Sequence, residues 1–586
     1  MPFQAGLGTG KLAVSKVSAS EWRARSHAAE QAGDLNGALE ILEEGVAAWP
    51  DDAALANSAG NAAMRSRNFD SAIQFFGTAA KLQPRLLEFS LNLAISLSRI
   101  ARYRDALAVL APFTKEGFSV ARYCSVRALA ERGAGNLAEA GAWFEQCLTL
   151  DPKHARALHG RARLAMQRGE RDAVSRYQQA LQVTAGDAEL WLGQAQAMAI
   201  AGDTAEARKI AELLMQQAPQ WLDGLQFLAQ LRLAAGEADF TSHYTIAMQR
   251  RPQDHNIPAA QCAVLAGLDF NREAAEFARS AREKFPHLER FALLEAVYAS
   301  AAGENERAQS VWNTISLKNN DERIHLARHQ LRRGETDKAA ILLDLVLQED
   351  PTSISAWALI SVVWRLAGDP REKWLHEQQG LVAFLPLQDA ENVLPPAIAQ
   401  LHRLHDTSAQ PLGQSLRGGT QTAALLFDRT EPEFAALRDA IGATIQDYQK
   451  ALPQSDATNP RICHPVLRYR DVPWHMAGSW SVRLSGGAGD RHASHIHPLG
   501  IVSSALYCES PPDAAADLNG DPQAGWLELG RPPPDLGIDL QPITAFPPRP
   551  GHLALFPSTL YHGTRPFTQG RRLTVAFDVR PEKEPS

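Results

Sequence analysis

Along residues 19–386 the apolar positions recur at helical spacing and come in short segments that end at proline. ALEILEEGVAAWP (38–50) is one such segment, with an apolar stripe broken by acidic positions. Prolines close these segments at Pro50, Pro84, Pro152, Pro219, Pro252, Pro286, Pro351 and Pro386. Pro50 and Pro84 lie 34 residues apart, and Ala38, Ala72, Ala106 and Ala140 repeat at the same interval. Turn or small residues precede these alanines, at Gly33-Asp34, Arg67-Asn68, Ala101-Arg102 and Gly135-Asn136, with later counterparts at Gly202-Asp203, Gly303-Glu304, Gly334-Glu335 and Gly368-Asp369. The pattern predicts a helix, a tight turn, and a second helix that proline terminates by withdrawing a donor and restricting the residue before it. Alanine fits where the two helices approach closely. One such hairpin cannot bury its apolar stripe alone, so neighbours must stack into a superhelix.

A 34-residue unit with this Gly/Ala/Pro pattern resembles the tetratricopeptide repeat. About ten hairpins fit between residues 19 and 386, after an N-terminal tail of residues 1–18. Such solenoids offer a concave groove, which implies a protein or peptide partner. His154, His159, His325 and His329 within the array read as ordinary surface or interhelix histidines.

After Pro386 the helical period fades. Residues 387–420 contain PP, QP and GG breaks and predict a connector. EPEFAALRDAIGATIQDYQKA (431–451) predicts one more amphipathic helix. Short apolar runs between Pro and Gly clusters then predict strands: SWSVRLS (479–485), IVSSALYCE (501–509), GWLELG (525–530), HLALFPS (552–558) and RLTVAFDVR (572–580). A β-sandwich or open barrel over residues 421–586 follows. The fold class is therefore multidomain, an all-α solenoid followed by a β-domain.

Composition sharpens this division. Of 35 prolines, 12 fall in residues 1–386 and 23 in the shorter remainder, and the 18 histidines split evenly between the two parts. The net charge of −7 speaks against a nucleic-acid role, which needs a basic surface. Five scattered cysteines without a CxxC predict neither a disulfide framework nor a cysteine zinc site, and suit a reducing compartment. The N-terminus lacks a sustained apolar core segment and no run approaches bilayer length, so the expectation is a cytoplasmic protein with no membrane partner.

Three features of the β-region carry chemistry. His495-Ile496-His497 sits in an extended segment, where residues two apart project to the same side and can share a metal ion. His562 follows the strand HLALFPS, 65 residues after His497, where a jelly roll can close a metal site from a facing strand. Arg572 and Thr574 share one strand face, a guanidinium fork with a hydroxyl suited to a carboxylate.

The order HxH, distant His, then RxT resembles the Fe(II)/2-oxoglutarate-dependent dioxygenases of prolyl-hydroxylase type. The segments QSLRGGTQT (414–422), SWSVRLSGG (479–487), HIHPLGIVSSALY (495–507), GWLELG and PGHLALFPSTLYHGTRPF…RRLTVAFDV are similar to a bacterial branch of these oxygenases that often follows tetratricopeptide repeats. The resemblance covers about residues 412–580. It implies a double-stranded β-helix (jelly roll), with Fe(II) held by His495, His497 and His562. It also implies that Arg572, helped by Thr574, binds the distal carboxylate of the cosubstrate 2-oxoglutarate. Tyr507 matches a family position that hydrogen-bonds the same group, although a core aromatic with a satisfied hydroxyl is an equal reading of that residue. The activity implied is hydroxylation with O2, with the repeats recruiting the substrate.

One departure stands out. The family motif is HxD, and two His with one carboxylate form the usual facial set; here His497 replaces the carboxylate. Three arrangements are open: a three-His site, two His with water and His497 turned away, or a carboxylate brought in from elsewhere, such as Asp490. The first is preferred, with His492 as a reserve imidazole. Cupins also carry HxH on a jelly roll. They expect a Glu soon after the second His, and none occurs here before Glu509. They also expect a His close after PxG, whereas PRPG is followed by LALF. A non-catalytic repeat scaffold with an inactive jelly roll is the other alternative.

Overall fold

The computed structural model describes residues 17–408, 415–454, 463–486, 490–511 and 521–582. Of the tail expected at 1–18, only Val17 and Ser18 fall among them. The chain divides into two compact units, Met1–Asp187 and Ala188–Ser586.

The first unit is a run of five helix pairs, beginning with Ala19–Gln31 and Leu35–Ala48, then Ala53–Arg65 and Phe69–Leu82. The repeat logic is physical. Ala38, Ala72, Ala106 and Ala140 are fully buried, and Leu42, Phe76, Leu110 and Phe144 recur 34 residues apart as buried apolar partners. Large side chains of second helices fill gaps left by small residues of first helices: a Cβ on Gly60 would stand 2.6 Å from the Phe76 ring, and one on Gly160 2.4 Å from Phe144. The turns between paired helices need a left-handed residue. Gly33 (φ 84°) and Gly135 (φ 86°) supply it freely, whereas Arg67 (φ 60°) and Ala101 (φ 59°) adopt it against their Cβ.

The second unit opens with six more helix pairs, from Ala188–Ile200 and Thr204–Gln217 to Ile354–Ala367 and Arg371–His376. The chain then enters a β-domain with eleven strands among the described residues: β1 (Ala383–Pro386), β2 (Leu416–Arg417), β3 (Thr420–Gln421), β4 (Trp474–Leu484), β5 (Arg491–His492), β6 (Val502–Glu509), β7 (Leu527–Leu529), β8 (Thr544–Phe546), β9 (His552–Pro557), β10 (His562–Thr564) and β11 (Arg572–Pro581). The main sheet runs β1-β9-β6-β11-β4-β3, and a smaller sheet runs β10-β7-β8, the arrangement of a jelly roll. Alternation sorts its faces. Leu573, Val575, Phe577 and Val579 of β11, with Val502 and Leu506 of β6, pack on one side against the helices Ala390–His405 and Pro432–Ala451. Ala505, Tyr507, Ala554 and Phe556 face inward toward Leu527 and Leu529 of the smaller sheet.

Two segments differ from the sequence reading. Residues 383–386, expected as the end of the solenoid, are an edge strand that pairs antiparallel with β9. Residues 387–420, expected as a connector, contain the 16-residue helix Ala390–His405 despite Pro395 and Pro396 inside it. Two lost N–H donors are outweighed there by burial of Val393, Leu394, Ala397 and Leu401 in the domain core.

Within this second unit the final repeats and the β-domain share a core. Trp357, Trp364, Leu375 and the partly buried Trp374 pack with Leu536, Tyr561, Ile496 and Leu540. Beside it, Arg328 holds both oxygens of Asp535 (2.8 and 3.2 Å). Arg332 pairs with the same carboxylate and donates from Nε to the Asp535 carbonyl (2.8 Å). Burial pushes the Asp535 carboxyl up, but the two guanidiniums pull it down by more, leaving it below its ordinary value. Among the described residues no helix is long and apolar enough to cross a membrane.

Two predictions follow from these packing arguments. No heavy atom lies within 4 Å of a Cβ built on Gly135. The cost of Gly135→Ala is therefore conformational, about 1 kcal/mol in denaturant unfolding, whereas Ala101→Gly should be neutral or stabilising. Asp535→Asn should cost about 2 kcal/mol at neutral pH, read by tryptophan fluorescence from the shared core. Because the folded carboxyl is depressed, its contribution is complete above the unfolded value of about 3.9 and is lost as pH falls through the lower folded value. The variant's stability should therefore fall less steeply in acid than that of the wild type.

Candidate metal centre

The site forms where two short segments of the jelly roll meet edge to edge. His495 N–H donates to the His562 carbonyl (3.0 Å), and His562 N–H donates back to the His495 carbonyl (2.9 Å), an isolated antiparallel bridge. The pairing puts the two imidazoles side by side, with ring centres 4.3 Å apart. His497, two residues on and therefore on the same side, completes a triangle. Its ring lies 4.9 Å from His495 and 4.8 Å from His562. One ring nitrogen of each could serve as a ligand, and these three atoms lie within 4.8 Å of one another.

Each ring is oriented by its outer nitrogen. His495 Nδ1 donates to the Ala493 carbonyl (2.8 Å) and His562 Nδ1 to the Leu560 carbonyl (3.1 Å). His497 Nδ1 donates to the Asp578 carboxylate (2.5 Å). A proton on every Nδ1 leaves every Nε2 with a lone pair. His495 Nε2 and His497 Nε2 then face each other at 3.0 Å, which a shared cation relieves. Burial first, and then neighbouring His497, push His495 down to about 3. Burial, then His495 and His497, hold His562 well below the usual imidazole value. These two rings are therefore neutral near pH 7, the form that binds metals. Phe556 stands edge-on to His562 at 4.9 Å, and Trp480 edge-on to His497 at 5.3 Å, walling the cluster with aromatic surface.

The anion-binding residues converge from neighbouring strands. Arg572, at the start of β11, is 3% exposed. Its Nη1 donates to Thr564 Oγ1, its Nη2 to Tyr507 Oη (3.5 Å), and the guanidinium lies over the Tyr507 ring at 5.0 Å. Its Nε is buried without a partner, and among the described residues no carboxylate pairs with it. A buried, uncompensated cation is costly unless an anion joins it. Thr574 shares the inward face of β11 with Arg572 and sits in register with Tyr507 of β6. Burial raises the Tyr507 hydroxyl and nearby Arg572 opposes it, with a net rise, so the phenol stays a donor.

All six residues singled out in the sequence thus lie in two adjoining groups, linked through β10, which carries His562 and, on the same side, Thr564. The donor set fits both a divalent cation and a carboxylate cosubstrate. Of the two reserve groups, Asp490 is engaged elsewhere, whereas His492 stacks beside His495 with ring centres 5.8 Å apart. Asp490 accepts from the Ser485 amide (3.1 Å), and Ser415 Oγ bridges His492 Nδ1 and His495 Nε2 (3.2 Å to each). Sequence reasoning missed Asp578 and Thr564. Asp578 was within reach, because it continues the alternation 572, 574, 576 along RLTVAFD. Thr564 had no signal beyond standing two residues after His562.

Residues 478–578 match a family described as "Putative 2OG-Fe(II) oxygenase". Residues 23–85 and 91–155 match the tetratricopeptide repeat. The chain carries tetratricopeptide repeats followed by a C-terminal domain of that oxygenase family. Protein FlbA of Caulobacter vibrioides is 27% identical over 169 residues, 28% of this chain; the chain spans only 28% of that curated relative's length. Two solved structures are also similar. A tetratricopeptide repeat protein from Parabacteroides merdae is 19% identical over 41% of this chain and 96% of its own, with a TM-score of 0.35. One from Thermus thermophilus is 22% identical over 31% of this chain and 99% of its own, with a TM-score of 0.27.

Proposed function

We propose that the C-terminal domain is an Fe(II)/2-oxoglutarate-dependent hydroxylase whose substrate, a protein or peptide, is presented by the repeat array. His495, His497 and His562 hold the iron. Arg572 and Tyr507, with Thr574, receive the distal carboxylate of 2-oxoglutarate. Bound together, iron and cosubstrate supply conversion of a C–H bond to C–OH, with O2 as oxidant and succinate and CO2 as co-products. The observation that carries this reading is the pairing of three convergent imidazole lone pairs with a buried guanidinium that lacks an anion. A cupin has no use for that guanidinium, and a purely structural jelly roll would leave it as an unrelieved cost.

The chain's own residues divide the work. Arg572 orients the cosubstrate, because a planar fork can grip both carboxylate oxygens where a lysine could make only a point contact. The Tyr507 hydroxyl adds a donor at the same end, and Phe556 and Trp480 exclude water around the rings.

Support for substrate presentation by the repeats comes from a cavity of about 390 Å3 in the second unit. One wall is repeat helix, with His325 and Arg328 from Asn320–Arg332 and Ser355 from Ile354–Ala367; the other is formed by Ser494, His495, Ile496 and Pro498 with Tyr561. A chain segment seated there touches repeat and metal-bearing segment together.

The proposal predicts metal-dependent binding of 2-oxoglutarate, measured by calorimetry. Arg572→Ala should abolish it, and Arg572→Lys should weaken it by about tenfold or more, the loss of one charge-assisted hydrogen bond. Wild-type affinity in Arg572→Ala would sink the oxygenase reading. Ser355→Trp, which fills the cavity from the repeat side, should leave 2-oxoglutarate binding unchanged. It should remove the stimulation of succinate release by a peptide mixture; stimulation equal to that of the wild type would count against the repeat wall.

A further inference from the structure

The exchange of the family's carboxylate for His497 leaves the three-ligand set one negative charge short. The structure places a carboxylate one residue further out. Asp578 Oδ1 accepts from His497 Nδ1 at 2.5 Å, and both side chains are 14% exposed. Asp578 is itself held: Ser503 Oγ lies 3.4 Å from the same oxygen and 2.9 Å from Ser558 Oγ. These partners come from β6 and from the residue just after β9, so the carboxylate is fixed by the main sheet and not by a loop. No cationic side chain pairs with Asp578 among the described residues; its ionic partner there is His497.

We infer that Asp578 is a positioning residue which supplies, through His497, the negative charge that a carboxylate ligand would otherwise bring to the metal. This rests on the three-His reading given above. The physical basis is general. A carboxylate on the outer nitrogen of a ligating imidazole fixes its tautomer, makes the inner nitrogen a stronger donor and raises metal affinity. In this site the other two imidazoles lean on neutral backbone carbonyls, so His497 alone is charge-backed. The inner face of β11 therefore serves both halves of the centre: Arg572 for the cosubstrate at one end and Asp578 for the ligand at the other.

The test is titration of the metal-free full chain with Co(II) alone, followed by visible absorption, with apo-protein melts run alongside. Asp578→Asn keeps an oxygen acceptor for His497 but removes the charge. The Co(II) dissociation constant should rise 10- to 100-fold, the usual range for such partners, with a shifted absorption band and an unchanged apo melt. His497→Asp puts the charge on the metal directly, so adding Asp578→Asn in that background should weaken Co(II) by less than about twofold. Wild-type affinity in Asp578→Asn, or an equal loss in both backgrounds, overturns the inference. Should Asp578→Asn lower the apo melt, the comparison within the His497→Asp background decides. Failure of the underlying reading is separately visible: the wild type would then bind no Co(II), or His562→Ala would bind it as tightly as the wild type.

Discussion

Two backbone hydrogen bonds between His495 and His562 organise the centre. They are not part of a long ladder. They join the segment after β5 to the first residue of β10, and they fix both the spacing and the direction of two imidazoles at once. The seam is tight, because a Cβ on Gly563 would stand 3.0 Å from the His492 carbonyl oxygen and 3.2 Å from the Ser494 backbone. With the seam closed, His497 falls on the same side two residues on, where Asp578 holds its ring, and Thr564 reaches the Arg572 guanidinium from β10. The burial this produces disfavours the charged forms of His495 and His562.

The same domain does not stand apart from the helices before it. The repeats are built from contacts between neighbours, so each hairpin leaves an apolar face for the next. In the second unit the last such face is not closed by a polar cap. Trp357, Trp364 and Trp374 present it, and Leu536, Ile538 and Tyr561 of the β-domain cover it. Tyr561 immediately precedes His562, and Ile496 separates the two histidines of the HxH segment. Residues that anchor the jelly roll on the repeats are thus chain neighbours of the candidate ligands. Rigid support for a metal site is what such a site requires, and it comes here partly from the solenoid.

Much of this was legible in the sequence, for unequal reasons. The 34-residue interval was plain because a buried alanine and a left-handed turn tolerate few residues, although Arg67 and Ala101 show that the turn is not restricted to glycine. The four long strands β4, β6, β9 and β11 were legible by alternation, and the short β7 inside GWLELG by the Gly residues that bound it. The helix Ala390–His405 was not, because adjacent prolines outweigh a stripe of four apolar residues until the core that buries them is known. Strands of two or three residues with no such brackets, such as β5, β8 and β10, carry no period to read. The three histidines and Arg572 were found by order along the chain. That the rings converge through Nε2 depends on acceptors for Nδ1, two of which are backbone carbonyls, and a carbonyl leaves no mark in a sequence.

The replacement of a carboxylate by histidine in the HxH segment would ordinarily weaken a case for metal chemistry. Its weight changes once charge is counted over the site and not residue by residue. Along β11 the even positions from Arg572 to Asp578 face inward, spanning roughly 20 Å of extended chain, while the odd positions Leu573, Val575, Phe577 and Val579 lie in the helix-backed core. A slip of one residue would send both the guanidinium and the carboxylate into that core, where neither could be tolerated unpaired. The register that buries four apolar side chains is therefore the register that turns Arg572 toward Tyr507 and Asp578 toward His497. A domain relieved of metal chemistry would gain stability by exchanging both charges for apolar residues. Their joint presence on the inner face is what the proposed centre requires of β11.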